Sequence, residues 1–153
     1  MQATNVHGTA ILIGEKGLLI TGPSGSGKTT LALALIDRFG TRGLNCRLVA
    51  DDQLLVAAHS GRLVCRAPET IAGLTEVPGI GPRPIAFEPA AVMDLLVRLV
   101  PAEAMPRMQE DATETVAGCV LPRLDLAARH VVAAMPAVAG RLGIVPFAQL
   151  RPF

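Results

Sequence analysis

The segment Gly22–Thr29 combines the residue types in this chain that are best suited to binding phosphate. It fits G-x-x-x-x-G-K-[ST] at every defined position, which is the pattern of a P-loop. Glycines let several backbone N–H groups converge on phosphate oxygens, and a helix that follows adds the positive end of its dipole. We therefore expect the phosphates of a nucleotide to be bound by Gly22, Pro23, Ser24, Gly25, Ser26, Gly27, Lys28 and Thr29.

Two side chains of this loop have more specific chemistry. Lys28 is one of only two lysines in a chain with twelve arginines. In a P-loop its ammonium group reaches the β- and γ-phosphates, while the hydroxyl at the position of Thr29 joins the shell of a magnesium ion. The expected cofactors are therefore ATP, or another phosphoryl donor, and Mg²⁺.

A pair of carboxylates, Asp51 and Asp52, follows the apolar segment Arg47–Ala50. A strand at this position would bring both acids towards the metal and the terminal phosphate. One could then bind the metal while the other accepts a proton from an attacking hydroxyl. The alternative is a solvated turn, because aspartate is common after strands.

The elements that must position these groups begin with a hairpin. Apolar runs at Thr9–Ile13 and Gly17–Thr21 flank a turn-like segment, which favours two antiparallel strands. Helical spacing then predicts a helix from about Thr29 to Phe39, which Gly40 ends. Further along, the patterns predict a strand at Arg47–Ala50 and a second hairpin from Leu54–Ala58 and Arg62–Arg66.

The second half of the chain is less regular in pattern. Prolines and glycines predict a loop over Pro78–Pro89, and the spacing of apolar residues favours helices over Val92–Val100 and Leu124–Met135. Pro101–Gly118 shows no definite pattern. Hairpins, short strands and helices together predict an α/β protein.

Composition restricts the class of protein. A chain of 153 residues with 50% hydrophobic and 18% charged residues should fold as one soluble domain, and no apolar run has the length of a membrane span. The start of the sequence does not resemble a secretory signal, so we expect a cytoplasmic protein. A net charge of +1 without a basic cluster argues against nucleic acid as a partner. The three cysteines show no paired spacing, so buried free thiols are expected.

Several separated segments resemble one family, the HPr serine kinase/phosphorylases, in a short form with the catalytic domain alone. They are Val6–Thr9, Leu18–Thr29, Arg47–Asp52, Ala67–Leu74 and Glu76–Gly81. The resemblance implies a single P-loop catalytic domain over residues 1–153, with a central mixed sheet and flanking helices as in HPr kinase and phosphoenolpyruvate carboxykinase. It also implies phosphorylation of a serine on the phosphocarrier HPr, phosphorolytic dephosphorylation in many members, and a homo-oligomer, which is a hexamer in family members.

The resemblance also implies roles for individual residues. Asp52 matches the carboxylate that accepts the serine proton, with Asp51 as its supporting neighbour. His7 lies in the active site, and Lys28 binds the transferred phosphate. The metal positions correspond to Thr29 and Glu76.

The chain departs from the family pattern at Pro78, where the signature Glu-Val-Arg-Gly-Leu-Gly has arginine. Either Arg83 supplies a replacement guanidinium group, or stabilisation of charge in the transition state is weakened. Beyond Glu88 the resemblance is thin. Arg107 lies about where the family has a catalytic arginine, and Arg129 lies where members carry a Pro-Gly-Arg-Asn motif that is associated with phosphorolysis.

Two other functions agree with these residues. A P-loop of this kind also serves kinases of small molecules. Pro78 favours a different class, a nucleotide-binding regulatory module that has lost catalysis.

Overall fold

The computed structural model describes residues 3–109 and 111–147, and within these ranges the chain forms ten strands and two α-helices. The helices are α1 (Lys28–Gly40) and α2 (Val131–Leu142), and short 3₁₀ turns lie at Glu69–Ile71 and Ala102–Ala104. The strands are β1 (Thr4–Ile13), β2 (Lys16–Thr21), β3 (Cys46–His59), β4 (Arg62–Arg66), β5 (Leu74–Val77), β6 (Gly81–Pro84), β7 (Ala90–Met93), β8 (Leu95–Val100), β9 (Thr113–Val116) and β10 (Cys119–Ala127).

Eight of the strands in the described ranges form one mixed sheet in the order β7-β4-β3-β1-β2-β8-β10-β9, and β5 and β6 form a separate hairpin. Strands β2, β8 and β10 lie side by side and parallel, whereas β1 and β3 are antiparallel to their neighbours. Because parallel strands end at the same edge of a sheet, the loop that follows β2 lies next to the ends of β8 and β10.

The sheet has an apolar core on each face. Both helices cover one face, where Leu35 of α1 and Val138 of α2 join Ile11 and Val97 of the sheet. The opposite face holds a second cluster, which includes Leu54 and Leu96. The predicted α/β fold with a central mixed sheet is confirmed.

A β-bulge shapes the sheet immediately before the two aspartates. Ala10 pairs with Ala50 and Ile11 pairs with Leu48, so Val49 is an extra residue on β3. Val49 and Ala50 both join the second core cluster, as expected when a bulge places consecutive side chains on one face. The bulge thus sets the direction in which the following carboxylates leave the strand.

Both hairpins and the helix that were predicted for the first half of the chain are confirmed. Thr9 pairs with Ile20 in the first hairpin, and Ala57 pairs with Val64 in the second. The helix begins one residue earlier than predicted and ends at Gly40. The strand predicted at residues 47–50 is much longer than expected and continues through both aspartates.

Two helix predictions are wrong. Residues 92–100 form the end of β7 and all of β8. Asp94 separates the two strands, and its carboxylate accepts a hydrogen bond from the Gly17 amide. Strand β8 is parallel to both neighbours and buried, and such strands are apolar throughout, so their pattern does not distinguish them from a buried helix. Likewise Leu124–Ala127 belongs to β10, and the helix begins only at Val131.

The proline-rich segment is also more regular than predicted. Residues 78–80 form a turn, but Gly81–Pro84 pairs with β5 as strand β6. Prolines are tolerated there because one edge of this short strand is unpaired among the described residues. A proline that points its missing N–H towards that edge removes no hydrogen bond between strands. The result is a small hairpin that contacts β3 and α1.

The cysteines are free thiols, as predicted, although Cys46 is only half-buried. Burial raises the pKa of the Cys65 thiol to about 12. Within residues 3–109 and 111–147, no helix is long and apolar enough to cross a membrane.

Candidate functional site

The phosphate-binding loop connects β2 directly to α1. Gly22 has a φ of 156°, and a Cβ atom there would lie 2.7 Å from Ser26 Oγ and 3.1 Å from the Leu99 Cβ. Gly27, immediately before the helix, has a φ of 95°. Glycine is therefore required at Gly22 by the close approach of neighbouring atoms and at Gly27 by the left-handed backbone.

The Lys28 side chain folds back across the loop. Its ammonium group donates hydrogen bonds to the Gly22 carbonyl at 2.9 Å and to the Pro23 carbonyl at 3.0 Å. Burial lowers the pKa of Lys28, and the negative charges of Asp52 and Asp51 oppose that effect. The Lys28 side chain therefore joins the end of the loop to its beginning at Gly22 and Pro23.

The buried carboxylate of Asp51 accepts hydrogen bonds from three different elements. Thr9 Oγ1 on β1 and Thr29 Oγ1 on α1 both donate to Oδ1 at 2.9 Å. On β5, Thr75 Oγ1 donates to Oδ2 at 3.2 Å and the Glu76 amide donates to the same oxygen at 2.9 Å. Asp51 therefore fixes the positions of the P-loop helix and the β5–β6 hairpin relative to the sheet.

Asp52 has a different environment from its neighbour. Its φ of 75° lies in the left-handed region, which interrupts the alternation of side chains along β3. As a result both aspartates line the same cleft. The Asp52 side chain is 58% exposed, and its Oδ1 lies 3.0 Å from His7 Nε2. An exposed residue in this strained conformation is typical of a functional site.

These groups surround an open cleft of about 530 Å³. The P-loop forms one wall, and the exposed Asp52 and the β5–β6 hairpin form others. The residues that line it are His7, Ser24, Gly25, Gly27, Lys28, Thr29, Thr30, Asp51, Asp52, Glu76, Val77, Pro78, Gly79 and Gly81.

The residues of the cleft fit a magnesium ion that is bound together with phosphate. Thr29 donates its only hydroxyl proton to Asp51, so the lone pairs of its oxygen remain free for a cation. The Glu76 carboxylate belongs to the same cleft. In the described part of the chain, no cluster of three or more acidic, histidine or cysteine side chains could hold a metal by itself. Magnesium commonly uses one or two protein oxygens and completes its shell with substrate phosphates and water.

The cleft brings together most of the residues singled out from the sequence, namely His7, Lys28, Thr29, Asp51, Asp52 and Glu76. Gly22, Pro23 and Ser26 belong to the loop but do not line this cleft. Their individual roles stay predictions.

Two arginines that the sequence suggested lie outside the cleft. Arg107 is exposed and is not among the lining residues. The Arg83 guanidinium group donates to the Pro82 carbonyl at 2.8 Å and does not line the cleft either. In this structure the Arg83 side chain is not positioned in the cleft to replace the arginine missing at Pro78, and the catalytic role of Arg107 stays a prediction.

Sequence reasoning missed Thr9 and Thr75. Thr9 is fully buried and Thr75 is 3% exposed. A threonine directly before the apolar run of β1 was the available signal, but its partner Asp51 lies 42 residues away.

A strand, a glycine-rich loop and a helix beside strand-borne aspartates form the arrangement of P-loop phosphotransferases. Comparison with protein families narrows this class. Residues 1–86 match the model described as the HPr serine kinase C-terminal domain. The chain belongs to this family.

Individual relatives agree with the family. The chain is 40% identical over 78 residues to an HPr kinase/phosphorylase of Clostridium beijerinckii, a match that covers 51% of this chain and 24% of that protein. It is 32% identical over 134 residues to an HPr kinase/phosphorylase of Limosilactobacillus reuteri, a match that covers 80% of this chain and 40% of that protein. The chain thus spans less than half the length of these curated relatives.

A solved structure supports the fold. The HPr(Ser) kinase/phosphatase of Coxiella burnetii superimposes with a TM-score of 0.77 at 26% identity, and the match covers 91% of this chain and 96% of that one.

We expect Asp51→Asn to lower the free energy of unfolding by about 2–3 kcal/mol, because an amide NH₂ cannot accept the bonds that one carboxylate oxygen accepts and leaves buried donors unpaired. Chemical denaturation measures this change. Asp52→Asn is the matched control, and its exposed side chain should cost less than about 0.5 kcal/mol. Equal losses in the two variants would contradict the organising role of Asp51.

Proposed function

We propose that this chain is a nucleotide- and magnesium-dependent protein-serine kinase that phosphorylates an HPr-type phosphocarrier. The observation that carries the proposal is the exposed Asp52–His7 pair, which shares one open cleft with the P-loop. Family membership and the names of the relatives support the choice of substrate. The proposal treats residues 1–153 as a single catalytic domain, and it includes a cytoplasmic location and a homo-oligomeric assembly.

The proposed reaction is an in-line transfer of the terminal phosphoryl group. The serine oxygen of the carrier forms a bond to the terminal phosphorus while the bond from that phosphorus to the bridging oxygen of the donor breaks. Lys28 and the amides of the loop stabilise the negative charge on the phosphate oxygens. A magnesium ion, bound through Thr29 and Glu76, would supply further neutralisation of that charge.

Asp52 accepts the proton of the serine hydroxyl in this scheme. Its carboxylate is exposed enough for a side chain of another protein to reach it, whereas the Asp51 carboxylate is occupied by its hydrogen bonds. His7 holds one carboxylate oxygen of Asp52, which orients the other towards the substrate. In the reverse direction, an oxygen of inorganic phosphate forms a bond to the phosphorus of phosphoserine while the bond from that phosphorus to the serine oxygen breaks. The products are pyrophosphate and the serine hydroxyl, whose proton Asp52 returns.

A second candidate function is a regulatory module that binds nucleotide but transfers no phosphoryl group. Pro78 favours it, because this residue lines the cleft where the family signature has arginine, and proline supplies neither a charge nor an N–H donor. Transfer to HPr distinguishes the two candidates.

Incubation of the purified chain with γ-labelled ATP, Mg²⁺ and HPr should yield phosphoserine on HPr, which peptide mapping identifies. Asp52→Asn should reduce this transfer by roughly 10²–10⁴-fold and leave nucleotide affinity nearly unchanged, as expected for the loss of a general base. Asp37→Asn, an exposed aspartate of α1 outside the cleft, is the matched control and should transfer normally. Labelled ATP that binds without any transfer to HPr would favour the regulatory module instead.

Pro78→Arg should raise turnover, and it should do so most in the phosphorolysis direction. A cation that acts directly on the transferred phosphoryl group contributes about 10³-fold or more to turnover. The measurement is formation of pyrophosphate from phosphoserine-HPr and inorganic phosphate. Pro82→Arg places the same charge on the hairpin outside the cleft and should have little effect. Rapid phosphorolysis by the natural chain, lost in Arg83→Ala, would show that Arg83 replaces the missing arginine.

A further inference from the structure

Arg129 lies in the short connection between β10 and α2 and contacts the P-loop from outside the cleft. It is not among the residues that line the cleft. A Cβ atom at Gly25 would lie 3.5 Å from Arg129 Nη2, and one at Gly27 would lie 3.6 Å from the Arg129 Cα. The residue therefore packs against a side of the loop other than the one that faces the cleft.

Two donors of Arg129 bond to carbonyl groups of the loop. Its backbone amide donates to the Ser26 carbonyl at 3.0 Å. Its Nε donates to the Gly25 carbonyl at 2.7 Å, a short distance that is usual for a charged donor. Because C=O and N–H point in opposite directions in a trans peptide, the Gly27 amide points away from Arg129. Gly27 lines the cleft, where its amide can meet a phosphate oxygen.

The peptide group between Gly25 and Ser26 connects Arg129 to Lys28. Its N–H donates to the Pro23 carbonyl at 3.1 Å, and the same carbonyl accepts a hydrogen bond from Lys28 Nζ at 3.0 Å. Its C=O accepts the bond from Arg129 Nε. Removal of the guanidinium group would therefore loosen the loop next to the point where Lys28 is bound.

The backbone around Arg129 is fixed to the sheet. The Ala128 amide donates to the Val100 carbonyl at the end of β8 at 2.7 Å, and α2 begins at Val131. The φ of Arg129 is 62°, in the left-handed region that glycine adopts more easily. An arginine in this conformation indicates that its side chain contributes something that glycine could not.

We propose that Arg129 is a positioning residue of the P-loop, which holds the Gly25 and Ser26 carbonyls so that the Gly27 amide faces the phosphates. This inference rests on the proposed function, because it assumes that the loop binds the phosphates of the donor. A residue that acts through the loop affects every ligand whose phosphates lie on it. Phosphorylation of HPr and phosphorolysis therefore both depend on Arg129.

Arg129→Ala and Arg129→Gly both remove the guanidinium group and keep the backbone amide. Each should weaken the binding of tripolyphosphate with Mg²⁺ about tenfold in calorimetric titration, as expected for one lost charge-assisted hydrogen bond. Arg129→Lys keeps a charged donor and should recover part of the affinity. Arg141→Ala removes the same charge from the exposed last turn of α2 and should bind as tightly as the natural chain.

Two readouts separate positioning of the loop from a general effect on the fold. Arg129→Gly should unfold at a higher temperature than Arg129→Ala, because glycine adopts the left-handed backbone freely, yet both should lose phosphate affinity by similar factors. In kinetic assays the KM for ATP should rise and the KM for HPr should stay unchanged. Phosphate affinity that follows the unfolding temperature would show a merely structural role and overturn the inference.

The amide resonances of Ser26 and Gly27 in the ligand-free chain test the mechanism itself. They should move in Arg129→Ala and stay in place in Arg141→Ala. Unmoved resonances together with weakened binding would show that Arg129 contacts the phosphates directly, which also overturns the inference.

The binding and transfer assays together distinguish this role from the proposed kinase activity. If Arg129→Ala binds tripolyphosphate as tightly as the natural chain, Arg129 does not position the loop, and the proposed kinase is unaffected. If tripolyphosphate binding depends on Arg129 but HPr is not phosphorylated, the proposed kinase is wrong and the role of Arg129 is supported. If the natural chain binds no tripolyphosphate, both are wrong.

Discussion

The buried negative charge of Asp51 is the constraint on which the site depends. A carboxylate removed from water is costly unless hydrogen bonds replace its hydration. Here the replacement comes from Thr9, Thr29, Thr75 and the Glu76 amide, which belong to β1, α1 and β5. Hydrogen bonding of the Asp51 carboxylate therefore requires β1, α1 and β5 to lie at fixed distances from it. The cleft of the candidate site is the space that these three elements leave between them.

The same constraint separates the roles of two adjacent aspartates. Alternation along a regular strand would place them on opposite faces of the sheet. The bulge at Val49 and the left-handed backbone of Asp52 instead bring both to one cleft, the first buried and the second exposed. The buried carboxylate organises the site, and in the proposed reaction the exposed one exchanges a proton with the substrate. Because Thr29 and Glu76 share Asp51 as a partner, the proposed metal oxygens are positioned by the same group.

The sequence predicts the P-loop, both hairpins and α1 well, because their signals are local: glycine spacing, turns between apolar runs and helical periodicity. It fails for β8, since a strand that is buried on both faces has no alternation. It also fails for the start of α2, because apolar residues recur from Leu124 to Met135 on both sides of Arg129 and His130. Only the pairing of β10 with β8 in the sheet separates Leu124–Ala127 from the helix.

The parts of the site that the sequence could not predict all depend on distant partners. Thr9 and Thr75, which bond to Asp51, look like ordinary strand residues until β1, β3 and β5 are brought together. Arg129 lies 104 residues from its partner Gly25, and its contact arises only because β2, β8 and β10 end at one edge. In contrast, Asp52 and His7 were predicted through the family pattern, and the structure places them in contact.

Amide hydrogen exchange at Glu76 tests the central claim most directly, because its N–H bonds to the Asp51 side chain. If Asp51 holds the site together, this amide is strongly protected in the natural chain and loses that protection in Asp51→Asn, while the Leu19 amide in the central strand β2 stays protected in both. A Glu76 amide that exchanges equally in the natural chain and in Asp51→Asn would contradict the claim that Asp51 holds the site together.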